Sequence, residues 1–425
     1  MAIGTAAPST SETTVLSPER LARYADAVVR SCLRLDEGDS FFVQGQPAHR
    51  ELMVALVDAA YRAGAALGYA DYADNLVQAA RIRHARDEWL GPVPSWRAKR
   101  LRTQIEPTSA SATIIGEGDP GAFDGLPADR VVADSQRQME KIGWFVRAVR
   151  AGRYRWTGCA WPTPHWASQV YPELDPADAM RRLAEDILWF CRLGPDDPPG
   201  TEGWETHVDS IARRGRSLTE LRLERVELRG PGTRLDLRLP PNARWLGGRE
   251  QNAYGQLVAS NFPTEENFTS PAPTSTEGTF RCSRPLSFRG RLMAGIAGEF
   301  RRGRLVRLDA DHESDRELLA AFLASDRGAS RLGEVALVDR TSRIGQVERH
   351  YSNTLIDENA AAHIAFGFGF DQARRPSPDG RRVHRVNHSS LHLDVMIGTD
   401  DFEATGITAD GRIVPLLRAG TWQIG

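Results

Sequence analysis

Lysine is nearly missing from this chain. Lys99 and Lys141 are the only two, and the rest of the 54 basic residues are arginine. The bias reads as a mark of GC-rich coding sequence rather than of function. The basic residues are balanced by 56 acidic ones, for a formal charge of −2, so no positive field draws the chain to nucleic acid or to an anionic membrane. Cysteine is scarce too. Cys32, Cys159, Cys191 and Cys282 lie far apart and form no CxxC pair, which argues against a zinc ribbon, thioredoxin chemistry and a disulfide framework. No stretch reaches the roughly 18 apolar residues that span a bilayer. The N-terminus, MAIGTAAPSTSETT, lacks a basic region followed by an apolar one, so no secretory signal is expected. The strand–helix–strand unit near the N-terminus, SFFVQG to ALGYADYA, carries no GxGxxG and no phosphate loop. A cytoplasmic protein is the expectation.

What is present is ordinary globular material: 425 residues, 41% apolar and 26% charged, with room for two domains. Residues 1–16 read as a disordered tail. Ser17-Pro18-Glu19 then supplies an N-cap, a proline in the first turn and an early acid, which start a helix. SFFVQG (40–45) is a strand, HRELMVALVDAAYRAGA a helix closed by Gly64, and ALGYADYA a second strand. That order implies a parallel pair joined by a helical crossover. Residues 128–150 and 176–192 read as helices. LGPDDPPGTEG (193–203) breaks helix on both sides and has the composition of a linker, and a further helix follows it. From about residue 220 the texture changes to alternating strands, LRLERVELRG and TRLDLRLP, joined by a Gly-Pro-Gly turn. The expected fold is α/β: an N-terminal domain over 17–230 with a largely parallel sheet, and a C-terminal mixed α+β metal-binding domain over 231–425.

The residues with chemical potential gather after residue 260. NFPTEENFTSP carries adjacent acids, Glu265 and Glu266, which a strand-and-turn context aims differently, one toward a metal and one toward a proton. A solvated acidic turn would carry the same pair. Glu334 in ASRLGEVALVD precedes an apolar run, with Gly333 beside it able to let the backbone approach a ligand. An edge carboxylate would look the same. NHSSLHLDVMIG is more specific. His392 and Asp394, at i and i+2 of a buried strand, share one face, and a nitrogen and an oxygen so placed suit one divalent ion. A mutually hydrogen-bonded couple is the competing reading, since burying either alone is costly. In DENAAAHIAFGFGF the alanines read as helix, with His363 four residues after Asn359 and Phe370 seven beyond His363 on the same face. Three carboxylates and two histidines within 130 residues suit a two-metal hydrolytic site.

The ordered set NFPTEENFTSP, DRGASRLGEVALVD, NTLIDENAAAHIAFGFGF, NHSSLHLDVMIG and DGRIVPLLRAGTW resembles the thermophilic aminopeptidase T family of dinuclear metallo-aminopeptidases, and looser matches extend the resemblance over nearly the whole chain. It implies metal ligands at Glu266, Glu334, His363, His392 and Asp394, and two divalent ions (Zn, Co, Mn or Mg). It implies removal of N-terminal residues from short peptides, by a homodimer. Glu265, paired with the ligand Glu266, is assigned as general base, with Glu334 as the alternative. The family carries a tyrosine where this chain has Phe370, so Phe370 and Tyr351 are assigned to the substrate side, Tyr351 as a stand-in for the missing phenol. Asn267 also departs from the family's usual valine. Two other readings stand beside this one. Proteins resembling this fold include mononuclear Fe(II) ring-cleaving dioxygenases, and a catalytically weak binding scaffold would keep the cleft.

Overall fold

The computed structural model describes residues 15–424 apart from 117, 119, 289–290 and 376–385. The expected tail therefore falls almost wholly outside the described residues. Ser17 caps the first helix, Pro18–Asp26, its hydroxyl accepting from the Arg20 amide at 3.4 Å. SFFVQG forms the strand Ser40–Gly45. The helix Arg50–Arg62 follows, Gly64 takes φ +96° just beyond its end, and Leu67–Tyr72 returns parallel to the first strand. The residues expected to form one helix over 128–150 form two, Ala128–Lys141 and Gly143–Arg150, divided where Ile142 leaves helical geometry before Gly143.

Five strands make a wholly parallel sheet in the order Leu67–Tyr72, Ser40–Gly45, Ser109–Ile115, Trp156–Ala160, Asn261–Phe262. The fifth comes from far along the chain. Conversely, the hairpin Leu223–Gly230 and Thr233–Arg238 belongs to an eight-stranded antiparallel sheet, where Leu223–Gly230 pairs with Glu403–Thr408. The change of texture seen in the sequence is thus a change of sheet. The two cores interleave along the chain: Leu218 to Trp245 join the C-terminal core, Val258, Ala259 and Phe262 the N-terminal one, and Ile344, Tyr351, Leu355, Ile356 and Ala360 return to it.

A second antiparallel sheet positions the site. Its order is Glu266–Thr269, Leu332–Val338, His363–Gly367, His392–Met396. Leu332–Val338 and His363–Gly367 are buried along their whole length. Val335, Leu337, Ile364, Phe366, Leu393 and Val395 all join the C-terminal core, so the side chains that alternate with them are sent to the other face. This corrects the helix expected across residues 357–370. The helix is only Thr354–Glu358, capped by the Asn353 side chain, and His363 opens a strand. Alanine propensity favours helix, but Ile364 and Phe366 fit a buried pleat between two strands, and packing decides.

Candidate metal centre

The register across this sheet assembles the polar cluster. Ala365 pairs with Glu334 on one side and Asp394 on the other, while His363 pairs with Ala336 and His392 with Gly367. A methyl group between two acids leaves room for both to turn toward the same space. His363 and His392 flank that row from neighbouring strands, two residues from Ala365 and Asp394 respectively. Glu266 arrives from the sheet edge opposite Val338. The ligand-type atoms of Glu266, Glu334 and His363 lie within 4.8 Å of one another, and so do those of Glu334, His392 and Asp394. Glu334 is common to both groups. The closest approaches are His363 Nε2 to Glu266 at 3.2 Å, His392 Nε2 to Glu334 at 3.1 Å and His392 Nε2 to Asp394 at 3.3 Å.

Both histidines are oriented from behind. His363 Nδ1 lies 3.1 Å from the Ala361 carbonyl, and His392 Nδ1 lies 3.0 Å from the Phe368 carbonyl. A carbonyl oxygen only accepts, so each Nδ1 carries hydrogen and each Nε2 faces the carboxylates, the arrangement that prepares a histidine as a metal ligand.

The electrostatics say what the cluster wants. Burial alone would lower the His363 pKa, but the hydrogen bond and charge of Glu266, with Asp394 and Glu334 behind, push it up to about 10. Burial pushes Glu334 up to about 7, against the pull of His392 and with Glu266 and Asp394 adding to the rise. Burial opposes ionisation of Asp394 as well, yet His392 holds it below the ordinary range. The acids outnumber the bases, and the excess is met by protons. Glu266 Oε2 is buried, and the group that faces it is His363 Nε2 at 3.2 Å. Three buried carboxylates and two imidazole nitrogens that converge within 4.8 Å in each group form a donor set suited to divalent ions such as zinc, cobalt or manganese. The residues fit such ions.

The cluster lies in the wall of a cavity of about 520 Å³ between the two sheets, with Phe268, Phe368 and Phe370 on its apolar side. The Phe370 ring stands edge-on to His392, 5.5 Å between centroids. It thus reaches the ligand cluster, though from the loop beyond a strand rather than along a helix face.

Two expectations are corrected. Glu265 does not face the cavity. Its carboxylate meets Arg192 at 2.6 Å and His207 at 3.3 Å, and its amide donates to Asn359 Oδ1 at 2.7 Å. Burial and Arg192 lower His207 to about 3, so the positive charge set against Glu265 comes from Arg192, with Arg343 and Arg214 behind it. Tyr351 is buried in the N-terminal core, its hydroxyl donating to Asp186 Oδ2 at 2.9 Å and its ring edge against Phe190. It cannot stand in for a phenol at the metal centre. The freedom of Gly333 serves the fold: a Cβ there would sit 2.1 Å from the Phe368 carbonyl oxygen. Asn267 ties the sheet to the helix Glu202–Glu220, donating to Ile211 and Leu246 carbonyls at 2.9 and 3.2 Å.

One acid at the site was not singled out from the sequence. Glu358, the last residue of the short helix, lines the cavity beside the cluster, and burial with the charges of Asp394 and Glu266 raises its pKa well above the usual range. Its Oε1 accepts from Asn261 at 3.3 Å. On a continuous helix Glu358 and His363 would be five positions apart and on different faces. Ending the helix at Glu358 is what brings them together.

The family model for thermophilic metalloproteases (M29) matches residues 17–422. The chain is 34% identical to aminopeptidase T of Thermus aquaticus, over 96% of this chain and 99% of that one. It is 30% identical to aminopeptidase 2 of Geobacillus stearothermophilus, over 95% and 98%. Its structure is similar to that of wild-type AmpT from Thermus thermophilus, with a TM-score of 0.85 and 32% identity over 95% of this chain and 99% of that one. A 2,5-dihydroxypyridine dioxygenase from Pseudomonas putida KT2440 shares the fold alone, at a TM-score of 0.50 and 13% identity over 95% and 96%.

Proposed function

The chain belongs to the thermophilic metalloprotease family M29 and is a metal-dependent aminopeptidase; from that premise we propose that it trims short peptides from their N-termini at the cluster centred on Glu334. The observation that carries this reading is the sharing of Glu334 between two ligand groups. Glu266 and His363 would hold one divalent cation, His392 and Asp394 a second, with Glu334 common to both. When bound, such ions would supply Lewis-acid polarisation of the scissile carbonyl and would lower the pKa of a bound water.

The protein's own groups do the rest. The carbonyls of Ala361 and Phe368 fix the two imidazoles. Phe268, Phe368 and Phe370 cover the apolar side of the cavity and keep bulk water from the reacting bond. Glu265 is engaged with Arg192, so the proton moves through a carboxylate that faces the cavity. Glu358 suits that role: it belongs to neither ligand group and is aligned by Asn261. Phe370 supplies no hydroxyl where the family resemblance implies one, so this chain stabilises the developing oxyanion with one donor fewer.

Pairing of two copies completes the reading. Leu67 and Tyr72 on the outer strand of the parallel sheet, Leu76 and Val77 on the helix Asn75–His84, and Trp96 on the helix Ser95–Gln104 are all exposed. An apolar sheet edge of this kind is ordinarily covered, and a second copy would cover it. All four cysteines are free, which suits the reducing cytoplasm; no helix among the described residues is long and apolar enough to cross a membrane.

The test is release of N-terminal residues from a pool of short peptides by chelator-stripped protein given Zn, Co or Mn. Release that depends on the metal, with two ions bound per chain, is expected. One iron per chain and no release with any of the three would sink the peptidase reading.

A further inference from the structure

A peptide entering this cavity has two ends, and the cluster accounts for only one. Arg150, the last residue of the helix Gly143–Arg150, is the only arginine or lysine among the described residues that line the cavity. Its guanidinium stacks on Phe368 at 4.7 Å from the ring centroid, and one amino group donates to the Ser389 carbonyl. The Nε is buried without a hydrogen-bond partner, and no described carboxylate forms an ion pair with this residue. Asp371 and Asp326 act on it only at longer range. A partly buried guanidinium without a paired anion is costly, and holding it rigidly on an aromatic face suits the recognition of a planar carboxylate.

The spacing selects the ligand. Phe368 lies 4.6 Å from the His392 ring, so the guanidinium stands no more than about 9 Å from that imidazole. An extended peptide rises about 3.4 Å per residue. A bond cleaved at the cluster therefore leaves one or two residues before the guanidinium is reached.

We propose that Arg150 binds the C-terminal carboxylate of di- and tripeptides, making this enzyme selective for very short peptides with a free C-terminus. The inference rests on the peptidase reading, with the cluster taking the amino end and Arg150 the carboxyl end. Arg150 is a positioning residue, distant from the reacting atoms. A charge-assisted bond of this kind gives roughly a ten- to hundredfold preference.

The experiment compares one tripeptide as free acid and as C-terminal amide, in two readouts on the metal-loaded protein. The first is kcat/KM. The second is calorimetric binding of the uncleavable analogue in which CH2–NH replaces the scissile amide. Wild type should favour the acid by tenfold or more in both, chiefly through KM. Arg150→Met should bring the ratio close to one, and Arg150→Lys should restore part of it. Equal binding of acid and amide by the wild type, or an unchanged ratio in Arg150→Met, would overturn the inference. Acid-selective binding without cleavage of any peptide would uphold Arg150 and overturn the peptidase reading alone.

Discussion

Glu265 and Glu266 are neighbours in sequence, equally buried, and opposite in what surrounds them. Glu265 meets Arg192, with His207 held neutral beside it, so its charge is answered by the protein. Glu266 joins Glu334, Glu358 and Asp394 against two histidines, and among the described residues no arginine or lysine pairs with it. Burying a carboxylate is expensive either way. An acid answered by a fixed guanidinium is finished as a structure, whereas a group of acids answered only by protons is an invitation to a cation. The contrast distinguishes a scaffold carboxylate from a candidate ligand without reference to any relative.

The strongest way to break this contrast lies inside the metal group. Glu334→Gln removes the shared ligand and should cost more than about a hundredfold in kcat/KM, beyond what outer-shell changes cost, with fewer metal ions retained per chain by elemental analysis. Glu358→Gln should lower kcat while leaving the metal content intact. Loss of metal from the Glu358 variant would make that residue a ligand and remove it as proton carrier.

On the scaffold side, Arg192→Met strands Glu265 in the interior and should destabilise by about 3–5 kcal/mol, read from denaturant unfolding. The double variant with Glu265→Gln should recover much of the loss. Additive losses would mean that the pair is not coupled.

Phe370→Tyr sharpens the comparison from the apolar wall. Adding a hydroxyl near His392 should raise kcat about tenfold with KM little changed, since one oxyanion donor is worth at least that much. A rate that falls instead would show that the phenyl ring is adapted to this chain's own substrate.

The smallest effect concerns Glu250, on the cavity wall. Burial outweighs the charge of Arg244 and the Gly247 amide and pushes its carboxyl up to about 7. Between the ordinary range near 4.3 and 7, the folded protein holds a proton that the unfolded chain has released. Stability from this group is therefore full below that window and lost as pH rises through it. Glu250→Gln should flatten the fall in Tm between about pH 4.5 and 7.

How far these features were legible follows from the physics of each signal. His392 and Asp394 could be read from two-residue spacing inside an apolar run, because a buried strand tolerates two polar side chains on one face only if they pair with each other or hold an ion. Glu334 was legible only as an acid before an apolar run, where an edge carboxylate would look the same, and it took the family resemblance to make it a candidate ligand. His363 was legible as a ligand only by family resemblance, since Ala360, Ala361 and Ala362 promise a helix and only packing against the two neighbouring strands makes this a pleat. Glu358 depended on where that helix ended. Arg150 looked like any basic residue closing a helix, and its stacking on Phe368, 218 positions away, has no local trace. The change of sheet near residue 220 was visible in the alternation of LRLERVELRG, but nothing in NFPTEENF announces that Asn261 and Phe262 rejoin the first sheet.

That last feature governs how the molecule is made. The strand Trp156–Ala160 finds its outer neighbour only when residue 262 exists, a hundred positions later. During synthesis from the N-terminus, the parallel sheet waits with one edge open while the next hundred residues emerge. The acids that follow immediately after Phe262, Glu265 and Glu266, are thus drawn into place by the closure of the earlier sheet. A fragment cut at residue 230 should accordingly aggregate through that bare edge, because the last step in building the first sheet is also the first step in building the site.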